Sequence, residues 1–172
     1  MNDEKTEPIV TIGIPAYNGE KTITRTIDSI LSQTILNFKL VISDDGSTDS
    51  TPKICREYEQ KDSRIKYIQQ KKNKGWITNW TFLAENSDTK YFVWISDDDY
   101  WEPQFLEKNI EVLETNPKIV GSISNVQLVG PNIKNYYPNQ KEINSIESNF
   151  KFILVRSING SYKEKIKNVL DF

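Results

Sequence analysis

The feature that most constrains this chain is the alternation of short apolar runs with segments of helical period. Val10-Thr-Ile-Gly-Ile14, Phe38-Lys-Leu-Val-Ile42, Ile65-Lys-Tyr-Ile68 and Tyr91-Phe-Val-Trp-Ile95 are too short for helices. Their β-branched and aromatic residues suit buried strands. Between them the period changes. Ile23, Ile27, Ile30 and Leu31 fall on one face of a helix. Ile54, Cys55 and Tyr58 mark a second helix, with Ser50 or Thr51 as its cap and Pro52 in its first turn. Trp76, Trp80, Leu83 and Ala84 mark a third. Phe105, Leu106, Ile110 and Leu113 mark a fourth, opened by Pro103 and closed at Asn116-Pro117. Ile119 to Val129 reads as extended, with a break near Asn125. The expected class is therefore α/β, a mostly parallel central sheet with helices on both faces and right-handed crossovers. Asn132 to Asn144 reads as a polar loop, and Ser145 to Phe172 as two helices joined at Asn159-Gly160.

A length of 172 residues fits one hydrophobic core. Residues 1–7 are polar and expected to be flexible, 8–130 form the core, and composition shifts after Gly130. The absence of histidine removes His-based triads, proton shuttles and His-ligated zinc. One cysteine, Cys55, allows no internal disulfide; it is expected to be a buried thiol in a reducing cytoplasmic setting. A net charge of −2 argues against a nucleic-acid partner. The start, Met1 to Glu7, lacks the apolar stretch of a signal peptide. No run approaches the ~18 apolar residues of a membrane span.

The polar residues cluster where strands end. The first strand delivers Pro15, Tyr17 and Asn18; the second Asp44 and Asp45; the fourth Asp97, Asp98 and Asp99. In a parallel sheet these share one edge, the edge at which open α/β sheets bind ligands. Three adjacent carboxylates repel one another and resist burial. A divalent cation relieves both problems, and oxygen ligands suit Mg²⁺ or Mn²⁺ completed by substrate phosphates. Taken singly, the triplet also reads as a solvated acidic turn, and Asp44-Asp45-Gly46-Ser47 as an ordinary turn whose Asp caps the next helix. The sequence contains neither GxGxxG nor GxxxxGK[ST].

Together, Ile14-Pro15-Ala16-Tyr17-Asn18, Ser29-Ile-Leu-Ser-Gln33-Thr34, Asp44-Asp45-Gly46-Ser47-Thr48-Asp49-Ser-Thr51, Asn73-Lys-Gly75 and Ser96-Asp97-Asp98-Asp99 with Pro103 downstream resemble family 2 glycosyltransferases of the GT-A, Rossmann-like fold. The likeness runs from Pro8 to about Gly121. It implies that Pro15, Tyr17 and Asp44 line a nucleobase pocket, with Asp45 holding the turn, and that Lys72 approaches the nucleotide. Asp97 would contact the ribose or the hydration shell of a metal. Asp98 would bind Mn²⁺ or Mg²⁺, and Asp99 would be a further ligand or a sugar contact. The implied reaction is inverting transfer from a nucleoside-diphosphate sugar, UDP-sugar favoured, to a glycan or lipid-linked acceptor. The cation would offset charge on the leaving diphosphate, and a carboxylate base would take the acceptor proton. The implied location is the cytoplasm, at the inner membrane face if the acceptor is lipid-linked. The chain departs from the family pattern at Ser96, in the place of a first Asp, and at Asn79-Trp80, where many members have Ala-Arg-Asn. The resemblance makes 131–172 the start of an acceptor-side region and puts the base beyond residue 172; Glu142, Glu147, Glu164 and Asp171 sit in no recognisable base motif.

Three other readings compete. A nucleotidyltransferase usually has a Gly-rich basic loop after its first strand, whereas this one reads Ala16-Tyr-Asn-Gly-Glu20. A phosphoacceptor receiver domain needs an acidic pair there. A non-catalytic fragment would hold a nucleotide-sugar without turnover or dock on a partner, with Trp76, Trp80 and Trp101 as candidates for an exposed aromatic patch.

Overall fold

All seven residues from Val10 to Ala16 are buried, and they form strand β1 inside the sheet. In a computed structural model, which describes residues 7–125, residue 127 and residues 151–156, β1 is followed by α1 (Ile23–Leu31), β2 (Phe38–Asp44), α2 (Thr51–Lys61) and β3 (Ile65–Gln69). Then come α3 (Trp76–Glu85), β4 (Tyr91–Trp94), α4 (Phe105–Thr115), β5 (Gly121–Asn125) and β6 (Lys151–Arg156). The strand order is β3-β2-β1-β4-β6-β5. The first four are mutually parallel, and β6 runs antiparallel to both β4 and β5. Proline is normally excluded from inner strands because it donates no ladder bond. Pro15 escapes this because pairing with β4 ends at Gly13 opposite Trp94, and the Ile95 N–H closes that side on Gly13 O.

The period-two alternation of the strands sorts their side chains onto two faces. Ile12 and Ile14 of β1, Leu40 and Ile42 of β2, and Tyr91 and Val93 of β4 pack with Ile23, Ile27 and Ile30 of α1, Cys55 of α2 and Leu106 and Leu113 of α4. Each fully buried Ile or Leu contributes roughly 1.5–3 kcal/mol before ordering entropy is counted. On the opposite face Val41 and Phe92 pack under Leu83 and Ala84 of α3. Helices thus cover both faces, as the alternation implies. Burial pushes the Cys55 thiol up to about 12, so this cysteine is an inert core residue.

Three local expectations change. The helix pair expected between Ser145 and Phe172 gives way, at Lys151–Arg156, to a strand. Phe-Ile-Leu-Val is a short apolar run, and the open side of β4 offers it backbone partners that an isolated helical turn lacks. In the segment expected to be extended from Ile119 to Val129, the strand begins only at Gly121 and covers Gly121–Asn125, while Val126, Leu128 and Val129 lie outside the described residues. Neither Ser50 nor Thr51 caps α2 with its side chain. Instead Asp49 Oδ1 accepts the Thr51 N–H at 3.0 Å, while Glu20 Oε2 accepts the Ser50 N–H at 2.9 Å. Burial opposes ionisation of Asp49, but hydrogen bonds from Thr51 and Glu20 hold its carboxyl below the usual range. The polar segment Asn132 to Asn144 lies outside the described residues.

Candidate functional site

Because β1 lies between β2 and β4 and all three are parallel, their following loops share one edge. The loop after β1 is joined to both neighbours. On the β2 side the Asp45 N–H donates to Ala16 O at 2.8 Å, and the Asn18 N–H donates to Ser47 Oγ at 2.8 Å. Asn18 Oδ1 in turn accepts the Thr48 N–H at 2.9 Å, and Asp49 Oδ2 accepts the Glu20 N–H at 3.1 Å. On the β4 side the Tyr17 N–H donates to Asp97 Oδ2 at 3.2 Å. Asn18 makes the bend at φ 54°, a left-handed conformation that asparagine tolerates and β-branched residues do not. Segments about 30 and 80 positions apart in sequence thus meet on one rim.

The paired aspartates after β2 face inward. Asp44 is fully buried; its Oδ1 accepts the Ser47 N–H at 2.8 Å and its Oδ2 the Tyr67 hydroxyl at 2.6 Å. Burial, then that bond to Asp44, raises the Tyr67 hydroxyl far above its ordinary value. Asp45 is buried too, and its two oxygens accept the backbone N–H groups of Lys74 and Gly75 at 2.8 and 2.9 Å. Both carboxylates therefore hold protein backbone in place. Asp44 braces the Asp44–Ser47 turn against β3. Asp45 fixes the basic loop, and with it Lys72, beside that turn. A Cβ on Gly46 (φ 78°) would lie 3.0 Å from the backbone of Lys72 and Asn73, so only glycine lets turn and loop touch.

The acidic triplet is presented differently. Asp98 is exposed, while Asp97 and Asp99 are half-buried. Helix α1 grips the turn by its carbonyls: Thr26 Oγ1 lies 3.0 Å from Asp97 O and 2.6 Å from Asp99 O, and Arg25 Nη2 donates to Asp98 O at 2.6 Å. Arg25 also stacks 4.8 Å above the Tyr100 ring. Burial raises the Asp97 carboxyl against the opposing Tyr17 N–H, and neighbouring Asp98 adds to the rise. Burial and then Asp98 push Asp99 up to about 6, against a lowering by Arg25. Carboxylates strained in this way suit a hard divalent cation. Among the described residues no three His, Cys, Asp or Glu side chains form a ready-made cage. The arrangement fits a cation held by one or two carboxylates and completed by diphosphate oxygens.

The strain has a testable consequence without any cation. Folding raises the Asp99 pKa from near 3.8 to about 6. The folded state then binds more protons than the unfolded one in that interval, so stability present at low pH is lost as pH rises through it. Asp99→Asn should abolish this contribution and melt about 2–4 °C higher than wild type near neutral pH in EDTA. Thermal unfolding from about pH 4 to about pH 8 measures it; equal melting curves across that range would contradict it.

Pro15, Tyr17, Asp97, Asp98 and Asp99 thus come together on one edge, Tyr17 being 49% exposed. Lys72 stands exposed on the loop that Asp45 anchors. Glu142, Glu147, Glu164 and Asp171 lie outside the described residues. Several contributors have no motif to mark them. Arg25 and Thr26 fall between the apolar positions of α1 and look like surface residues. Gly19 approaches Asp97 so closely that a Cβ there would lie 2.5 Å from Asp97 Oδ2. Asn79 is buried, donating to Ser43 O at 2.7 Å and accepting the Ser43 hydroxyl at 2.5 Å, which fastens α3 to β2. Its departure from the residue usual at that place is the one signal that pointed to it.

Residues 11–166 match the sequence model of glycosyl transferase family 2. An uncharacterized glycosyltransferase of Haemophilus influenzae is 34% identical over 122 residues, covering 71% of this chain and 38% of its own length. Among solved structures, S. aureus TarS 1–349 in complex with UDP-GlcNAc superposes with a TM-score of 0.62 at 24% identity, over 72% of this chain and 35% of that one. The mannosyltransferase PcManGT from Pyrobaculum calidifontis, in complex with GDP-Man and Mn²⁺, gives 0.66 at 17% identity, over 97% of this chain and 48% of that one. At such identities the structural likeness is one of fold. The chain spans 14–42% of the length of the first curated relatives it matches.

Proposed function

Because the chain belongs to glycosyl transferase family 2 and has the GT-A fold, we propose that it forms the donor half of a transferase that moves a sugar, with inversion, from a nucleoside diphosphate to a glycan or lipid-linked acceptor. The observation that carries this reading is the joining of three strand-end loops on one rim, with Asp98 exposed beside the Tyr17–Asp97 contact.

Pro15 and the exposed Tyr17 ring form one wall for the nucleobase. The Asp44–Ser47 turn supplies its floor, and Asp44 acts from beneath as a brace rather than as an open acceptor. Lys72, exposed on the loop that Asp45 anchors, would meet the diphosphate. Asp97 faces the ribose or the cation's waters. Asp98, with Asp99 as second ligand or sugar contact, would hold Mn²⁺ or Mg²⁺. Charge building on the leaving diphosphate is offset by that cation when it is bound. The chain's own residues bind, orient and preorganise: α1 fixes the turn through its carbonyls, leaving the Asp98 carboxylate exposed. UDP is the favoured nucleotide, supported by the UDP-GlcNAc that TarS binds; GDP-Man in PcManGT is the competing case.

Calorimetric titration of UDP, GDP and dTDP, each with Mn²⁺ and with EDTA, tests the donor site. One nucleotide should bind with Mn²⁺ and much more weakly with EDTA. Binding of none would overturn the reading. Gly19→Ala provides a finer check. The added methyl pushes the Asp97 carboxylate off the Tyr17 N–H. One such bond is worth about 1 kcal/mol, so affinity should fall about 5-fold. The same bond is lost from the unliganded protein, so the melting temperature should also fall by about 2–4 °C.

A further inference from the structure

Trp76 and Ile77 stand exposed beside this edge and have no role in the donor site proposed above. Of the residues that mark α3 as core-facing, Leu83 packs on the sheet, whereas the first turn of the helix does not bury its apolar side chains. Leu83 is buried, but Trp76 is 67% and Ile77 56% exposed. This exposure is not that of a frayed helix end. The chain just before Trp76 is fixed by the Lys74 and Gly75 N–H groups on Asp45 and by the Gly75 N–H on Asn73 Oδ1. Just before Trp76 and Ile77 in the chain come Lys71, Lys72 and Lys74, all exposed, with Lys74 Nζ donating to Gln70 Oε1 at 3.3 Å, and no acidic residue occurs from residue 71 to residue 78. In a chain of net charge −2 this is a local reversal of sign. An exposed Trp and Ile on a fixed backbone, directly after three exposed lysines and at the N-terminal end of a helix whose dipole adds positive potential, have the makeup of an interfacial contact with an anionic bilayer. Among the described residues no helix is long and apolar enough to cross a membrane.

We propose that residues 71–77 dock this chain on an anionic lipid surface, with Trp76 and Ile77 entering the headgroup region and Lys71, Lys72 and Lys74 supplying the attraction. The patch adjoins the rim that carries Tyr17 and Asp98, so docking sets the mouth of the site beside the bilayer. That orientation suits a lipid-linked acceptor and rests on the transferase reading; the docking itself does not.

The test is co-sedimentation of the 172-residue chain with phosphatidylcholine vesicles, with and without phosphatidylglycerol, in EDTA and without nucleotide. The chain should sediment with the anionic vesicles, and added salt should release it. Trp76→Ser combined with Ile77→Ser should weaken binding about 10-fold or more, and Lys71→Glu about 5-fold or more. Both variants lie on the surface, and circular dichroism confirms their folding. Brominated lipid should quench the wild-type fluorescence, whereas Trp76→Phe should still sediment but lose most of the quenching. Three outcomes would overturn the proposal: no sedimentation with anionic vesicles, unchanged sedimentation of the double variant, or release by millimolar inorganic phosphate at constant ionic strength. The last would make the patch a phosphate site. Nucleotide calorimetry on the same double variant separates the two readings. Donor affinity should be unchanged, and its loss alongside intact vesicle binding would place Trp76 in the donor site instead.

Discussion

Asp98→Asn should lower Mn²⁺-dependent nucleotide affinity by at least about 10- to 100-fold, the loss already typical of partners one step removed from a metal. The amide keeps the volume of the side chain and its place in the turn, because α1 holds that turn through the carbonyls of Asp97, Asp98 and Asp99. What disappears is the one exposed negative charge of the triplet. Removing it also relieves the two half-buried neighbours, whose carboxyls burial pushes up and Asp98 raises further. The apo protein should therefore melt at the wild-type temperature or slightly above it. The stabilisation that nucleotide with Mn²⁺ confers on the wild type should shrink, since that gain follows the ratio of ligand concentration to Kd. Thermal shifts and calorimetry with Mn²⁺ and with EDTA read both effects. Undiminished Mn²⁺-dependent binding would remove Asp98 from the metal role and leave Asp97 with Asp99 as the ligands to test.

Asp44→Ala should act on stability first. Its two oxygens satisfy a backbone N–H and a buried hydroxyl, those of Ser47 and Tyr67. Removing the carboxylate strands both donors in the interior at about 1–3 kcal/mol each. A total loss of about 2–6 kcal/mol corresponds to a melting temperature about 6–18 °C lower. The position is wholly buried, so repair by water requires the turn to open. Nucleotide affinity should also fall, because the pocket floor and the Lys72 loop both rest on this turn. A double-mutant cycle with Tyr67→Phe separates the contributions. The two changes should be less than additive, since each removes the same bond. Full additivity, or wild-type stability with selective loss of nucleoside binding, would instead make Asp44 an open acceptor for the base.

These predictions mark where sequence and structure divide the work. Among the described residues, hydrophobic period alone placed the four helices, the four parallel strands and the edge on which the polar residues gather. It could do so because the spacing of Ile23, Ile27 and Ile30, or of Ile12 and Ile14, is a local property that one segment carries by itself. Which aspartates face the ligand is not local. Asp44 and Asp98 both end strands in acidic turns, yet one is buried under Tyr67 and the other is exposed. That difference arises because β3 flanks β2 and offers a hydroxyl, whereas α1 meets the Asp97–Asp99 turn with donors that engage only its carbonyls. Pairing sets the remaining features. Lys151–Arg156 became a strand because β4 presents an open side, which only the assembled sheet creates. Gly19 matters because an aspartate almost 80 positions away lies against it. The sequence by itself determined the alternating elements from β1 to α4 and the residue types on the edge where their strands end. The tertiary structure decided which of those residues brace the site and which remain open to a ligand, because that depends on contacts between segments that no local periodicity encodes.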